Sequence, residues 1–194
     1  FSVHYFDTWV LSRNMFRNGS YKFQNNDENL PKTTDYLSDE IENKFRFERS
    51  YPSAPIKVLW GGGVKYAKYT NETYRQVFFN NMVNELRYST AINLWGYQAF
   101  VQLSDDYMDE RLKISLGIST MGNNYNKNMS NPLNQISPRL SASYALTEKL
   151  NLNANAGRYA MQPAYTTLGF KDNAGNFVNQ NENLKYTISN QAIA

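Results

Sequence analysis

Residues 111–121 read RLKISLGISTM, and this run constrains the chain more than any other. Leu112, Ile114, Leu116 and Ile118 alternate with Arg111, Lys113, Ser115, Gly117 and Ser119. A strict period of two arises from an extended strand whose two faces meet different surroundings. The pattern recurs. Trp95, Tyr97, Ala99, Val101 and Leu103 alternate with Gly96, Gln98, Gln102 and Ser104, with Phe100 as the exception. Residues 136–146 set Ile136, Leu140, Ala142, Tyr144 and Leu146 against Ser137, Arg139, Ser141 and Ser143. Residues 150–156 set Leu and Ala against Asn151, Asn153 and Asn155. Residues 56–66 alternate as well, broken by Leu59. Weaker runs at 41–51, 184–194 and 1–12 bring the expectation to about eight strands, many near the ten or so residues that cross a bilayer at a tilt.

The connections alternate in length. Short ones are expected at Pro52–Pro55, Asp105–Glu110 and Thr147–Lys149, and long ones near 13–40, 71–85, 122–134 and 161–183. Outer-membrane barrels have this order, with short periplasmic turns and long extracellular loops. A mean hydropathy of −0.64 combined with 15% aromatic residues suits a wall that is apolar outside and wet inside. The fold expected is therefore all-β, an antiparallel transmembrane β-barrel segment. Its apolar face would meet outer-membrane lipid. Gln98, Gln102, Arg111, Lys113, Arg139 and Asn153 are the candidate lumen-facing residues, and Trp60, Tyr66, Trp95 and Tyr97 the candidate aromatic girdle. No secretory leader is evident, because Phe1 opens directly into structured-looking sequence.

Candidate chemistry is sparse. A net charge of +3 spread over 20 basic and 17 acidic residues gives no basic patch, so no nucleic-acid partner is expected. The chain has no cysteine and one histidine, His4, with no nucleophile motif beside it. No catalytic residue, cofactor or metal site is expected. The Trp60-Gly61-Gly62-Gly63-Val64 run lacks the Lys-Ser/Thr of a phosphate loop and reads as a kink in the wall or room for a bulky neighbour. Asp105, Asp106, Asp109 and Glu110 lack calcium-loop spacing and read as a solvated turn.

Several runs also carry a resemblance: TTDYLSDEIENKFRFERSY at 33–51, ISPRLSASYALTEKLNLNANAGRY at 136–159, QPAYTTLGF at 162–170 and NENLKY at 181–186. They resemble the barrel of TonB-dependent outer-membrane receptors of the Bacteroidetes type. The resemblance implies a 22-stranded barrel closed by a plug domain of the same chain and an importer of bulky nutrients. It also implies coupling to the TonB-ExbB-ExbD complex through an N-terminal segment, and a surface lipoprotein as a candidate further partner. Neither plug nor TonB box is visible, so residues 1–194 are expected to be part of a single barrel domain in the bacterial outer membrane. Two alternatives remain. One is a complete small barrel acting as adhesin or anchor, in which 1–12 would pair with 184–194. The other is a soluble carbohydrate-binding β-sandwich.

Overall fold

The computed structural model describes residues 5–53, 56–79 and 82–194; His4 lies outside them. Eight strands form one antiparallel meander: β1 (Phe6–Phe23), β2 (Lys32–Tyr51), β3 (Lys57–Phe79), β4 (Met82–Tyr107), β5 (Leu112–Asn123), β6 (Ser137–Thr147), β7 (Leu150–Met161) and β8 (Thr187–Ile193). Each strand pairs with its sequence neighbours, and β1 and β8 are the sheet's two edges. A closed eight-stranded barrel would pair those two strands; among the described residues they do not pair. Three one-turn helices lie in the connections: α1 (Lys127–Ser130), α2 (Tyr165–Leu168) and α3 (Val178–Asn181). Among the described residues no helix is long and apolar enough to cross a membrane, which says nothing of crossing by strands.

Two expected long connections are instead strand. Most of 13–40 belongs to β1 and β2, joined by a turn at 24–31, and most of 71–85 belongs to β3 and β4. The reason is a change of phase in the alternation. Below the facing pair Tyr66 and Trp95, the apolar residues share one face: Val58, Trp60 and Val64 on β3 with Tyr97, Val101 and Leu103 on β4. Above that pair the same face carries Lys68, Thr70 and Glu72 opposite Asn93, Ala91 and Ser89. The apolar side chains there, Ala67, Tyr69, Ile92 and Leu94, point the other way and are buried. Strand pairing continues through the switch without a register break, because backbone hydrogen bonding does not depend on which face is apolar.

Smaller differences follow. The last strand begins at Thr187, not at 184. Asp105 and Asp106 lie within β4, which ends at Tyr107, and residues 108–111 form the turn, with Met108, Asp109 and Glu110 in left-handed conformation at φ of 58°, 55° and 65°. Lys57 forms an ion pair with Asp106. The 122–134 and 161–183 connections are long, as expected, and hold the three helices.

The glycine run in β3 makes room for a bulky neighbour. A Cβ on Gly61 would meet Phe100 Cζ at 2.9 Å and collide with the Phe47 carbonyl oxygen. Phe100, the one large apolar side chain on the polar face of its run, thus lies flat over Gly61. The Arg46 guanidinium covers its ring at 5.0 Å. Only glycine allows that approach.

Candidate functional site

The register sorts the sequence-predicted residues onto two faces. Gln102 stands in one cross-strand row with Gly117 and Arg139. Lys113 pairs with Ser143, which pairs with Asn153, and Gln98 lies four residues from Gln102 on β4. These five residues share a face. Arg111 is in the turn before β5; its guanidinium donates to the carbonyls of Ala145 and Leu146 at 3.1 Å each and covers the Tyr144 ring at 5.6 Å. Neither Arg139 nor Lys113 forms an ion pair among the described residues. Arg139 instead lies over the Tyr159 ring at 4.6 Å.

Trp60, Tyr66, Trp95 and Tyr97 occupy the opposite face. Tyr66 and Trp95 pack at 4.9 Å between ring centroids, and Trp60 meets Phe47 edge-on at 5.7 Å. Tyr97 donates its hydroxyl to the Ser130 carbonyl at 2.7 Å. Trp60 sits well below the other three along the strand. From Trp95 to Tyr107, both on this face, the strand runs about 40 Å, or about 30 Å along the barrel axis at a tilt of ~40°. That span suits the apolar band of an outer-membrane barrel, about 25 Å tall.

On the polar face a concavity of about 440 Å³ is lined by Arg46, Gln98, Gln102, Arg139, Asn155 and Tyr159 among others, and no carboxylate lines it. Above it the β7–β8 connection folds back across the sheet. This strap, residues 162–186, reaches from β7 to β2, about 24 Å measured across the strands. Tyr165 of α2 stacks on Tyr69 with centroids 5.9 Å apart and donates its hydroxyl to Glu42 of β2. Lys65 donates to Glu42 at 3.3 Å, to the Gln162 side-chain oxygen at 3.2 Å and to the Tyr165 hydroxyl at 3.2 Å. Lys44 is ion-paired with Glu42 from the same strand. Burial pushes the Tyr165 phenol above its ordinary range, and the Glu42 carboxylate beside it adds to the rise.

The strap's second hold is a backbone approach. Thr90 donates to the Gly169 carbonyl at 2.6 Å. A Cβ on Gly169 would come within 2.8 Å of the Thr90 methyl and 2.9 Å of the Tyr69 ring. Tyr125 donates its hydroxyl to the Leu168 carbonyl at 2.7 Å, tying the 124–135 loop to the strap. Asn123 donates to the Tyr186 hydroxyl at 3.0 Å, and burial pushes that phenol up to about 12. None of Glu42, Lys65, Tyr165 or Gly169 is a site candidate in the sequence reading. The usable signal was the apolar, aromatic character of QPAYTTLGF inside a connection.

Among the described residues no three His, Cys, Asp or Glu side chains are grouped to hold a metal ion. The sheet offers a two-faced wall with a strapped polar side. A family model described as TonB dependent receptor-like, beta-barrel, matches residues 2–192. The chain belongs to the TonB-dependent receptor β-barrel family. No curated protein and no solved structure matches it. Members of this family are outer-membrane receptors and transporters, not enzymes, and the all-β antiparallel sheet is consistent with their barrel. The family as a whole works with a plug domain and TonB.

Proposed function

We propose that this TonB-dependent receptor barrel chain is a wall segment of an importer for a bulky nutrient, with its polar face turned to the lumen. The observation that supports this is the switch of apolar face at the Tyr66–Trp95 pair. Below it, Leu116 and Ile118 are exposed at 55% and 47%, which water would oppose and lipid would not. Their neighbours on the other face are Gln102, Ser115 and Arg139. In hydrocarbon the bare edges of β1 and β8 must find partners, so further strands complete the wall. In this reading Gln98, Gln102, Lys113, Arg139 and Asn153 line the lumen, with Arg111 at its periplasmic rim. Tyr66, Trp95 and Tyr97 mark the outer interface. The plug domain of the same protein fills the lumen, and the TonB-ExbB-ExbD complex supplies the work. In this reading, as in the family, solute passes without covalent chemistry.

Single cysteines in the full-length receptor, in outer-membrane vesicles, test the facing. Gln102→Cys should react with a water-soluble maleimide and Leu116→Cys should not. Labelling of Leu116→Cys alone would reverse the two faces and sink the reading.

A further inference from the structure

We propose that Glu42 is a positioning residue that holds the α2 end of the 162–186 strap across the outer mouth of the lumenal face, and that this end, residues 162–170, lifts when the latch is broken. The inference rests on the lumenal reading of the polar face. Glu42 is where three elements meet: Lys44 on its own strand, Lys65 on β3 and Tyr165 on the strap. It stands on the row just outside the Tyr66–Trp95 pair, since it faces Ala67 and Tyr66 faces Asn43. The latch therefore sits at the level where solute would enter.

Its other anchors lie at different points along it: Thr90 and Tyr125 hold the Gly169 and Leu168 carbonyls, and Gln180, Leu184 and Tyr186 tie its far half to the 123–126 segment. Tyr165 and Leu168 are its buried large side chains before Tyr186. Beyond Gly169 it turns outward through an exposed bend, where Asp172 accepts from the Asn176 backbone at 2.8 Å. A segment held at separate points opens locally at one end without unfolding its scaffold. Its tie to β2 is polar and bridges strands that are far apart in order, so removing one hydrogen-bonding group frees the end. Lifting it would uncover Ala67, Tyr69, Ile92 and Leu94. A solute moving along the polar face would then meet an apolar patch where the strap had lain.

The reporter is Thr90→Cys in the full-length receptor, in outer-membrane vesicles, labelled by a water-soluble maleimide. Thr90 is 4% exposed and lies under Gly169. Ser137→Cys is the control, because Ser137 is 1% exposed and donates to the Gln135 carbonyl, with no bond to α2. Adding E42Q or Y165F should raise the Thr90→Cys rate about tenfold, the scale of one lost charge-assisted hydrogen bond. The Ser137→Cys rate should stay unchanged, and E42D should stay near the parent. An unchanged Thr90→Cys rate in E42Q overturns the proposal. So does an equal rise at both cysteines, which would show general loosening. The Gln102→Cys and Leu116→Cys pair is read in parallel, so a wrong facing of the wall is told apart from a wrong latch.

Discussion

The belt below Tyr66 and Trp95 and the outer tier above it are built from the same strands with opposite solvent logic. In the belt, Leu116, Ile118 and Leu140 lie exposed on the face that the proposed function turns to lipid, and Gln102 and Arg139 lie on the opposite face. In the outer tier, water bathes the outer face, so Lys68, Thr70 and Glu72 occupy it. The apolar side chains turn inward and are buried, with Leu168 and Tyr69 at 0% exposure under the strap. In the proposed reading, one uninterrupted hydrogen-bonded ladder thus carries two cores: one completed by the bilayer and one completed by the chain's own loops. In that reading the contrast marks the outer edge of the membrane without any reference to loop length.

The sharpest probes of that contrast are truncations. Leu168→Ala should cost about 2–5 kcal/mol locally, the range for a buried leucine in a packed site. The loss should appear as faster amide exchange over 165–169, with the urea midpoint of the belt almost unchanged. Leu116→Ala, facing lipid, leaves no protein cavity and should cost far less. A larger loss at Leu116 than at Leu168 would break the comparison.

Charge insertion asks the reverse question. Leu116→Arg places a cation on the lipid face and should cost about 2–4 kcal/mol near the membrane midplane. Ser89→Arg, on the same face but above the switch, should fall within about 0.5 kcal/mol of the parent. Urea titration of the full-length barrel in vesicles reads both. Equal penalties would mean that the belt extends through Ser89.

Much of the belt was legible in the sequence, and little of the outer tier was. Alternation between 95 and 118 named the strands and the two faces because one environment holds along the whole run. Between 67 and 94 alternation persists, but its apolar phase moves to the other face and is diluted by Thr70, Asn71, Thr73 and Asn93. A period-two search that assumes one fixed apolar face reads such a stretch as a polar loop. The strap was less legible still. Its contacts join Tyr165 to Glu42 across 123 residues, and no local pattern encodes a pairing of that reach. Phe100 was visible as an exception in its strand, and Gly61 as a glycine in a strand. Their contact explains both at once.

That contact gives the next test. Gly61→Ala should cost about 1–3 kcal/mol by overpacking, with the Arg46–Phe100 stack disturbed. Phe100→Ala should recover only part of the loss, because the Phe47 carbonyl still crowds the new methyl group. Full recovery would assign the glycine to Phe100 alone. Urea midpoints of the two single variants and the double variant decide it.

A subtler effect concerns pH. The Tyr165 phenol titrates above its usual range because it is buried beside Glu42. A group whose folded-state pKa is raised stabilises the fold fully below its unfolded value, near 10, and loses that contribution as pH climbs toward the folded value. The strap should therefore stay down through neutral pH and loosen only above about 10. A spin label at exposed Ala174 should gain mobility in that window, and Y165F should remove the dependence. Loosening at neutral pH would assign the latch to another group.

The smallest expected effect is also the most discriminating about the boundary. Arg17 and Asp39 face each other across β1 and β2 at 2.7 Å, on the outer face, four residues beyond the Asn43 row. Hydrogen bonding to Arg17 holds the Asp39 carboxyl below its ordinary range, while both side chains remain exposed. If water surrounds this row, Arg17→Ala strips an exposed ion pair and should leave the urea midpoint where it was. If lipid reached this high, the same change would strand a carboxylate in hydrocarbon, and the barrel would lose much of its folded yield. One variant thus separates a membrane edge at Tyr66 and Trp95, the expected outcome, from one a full four residues higher.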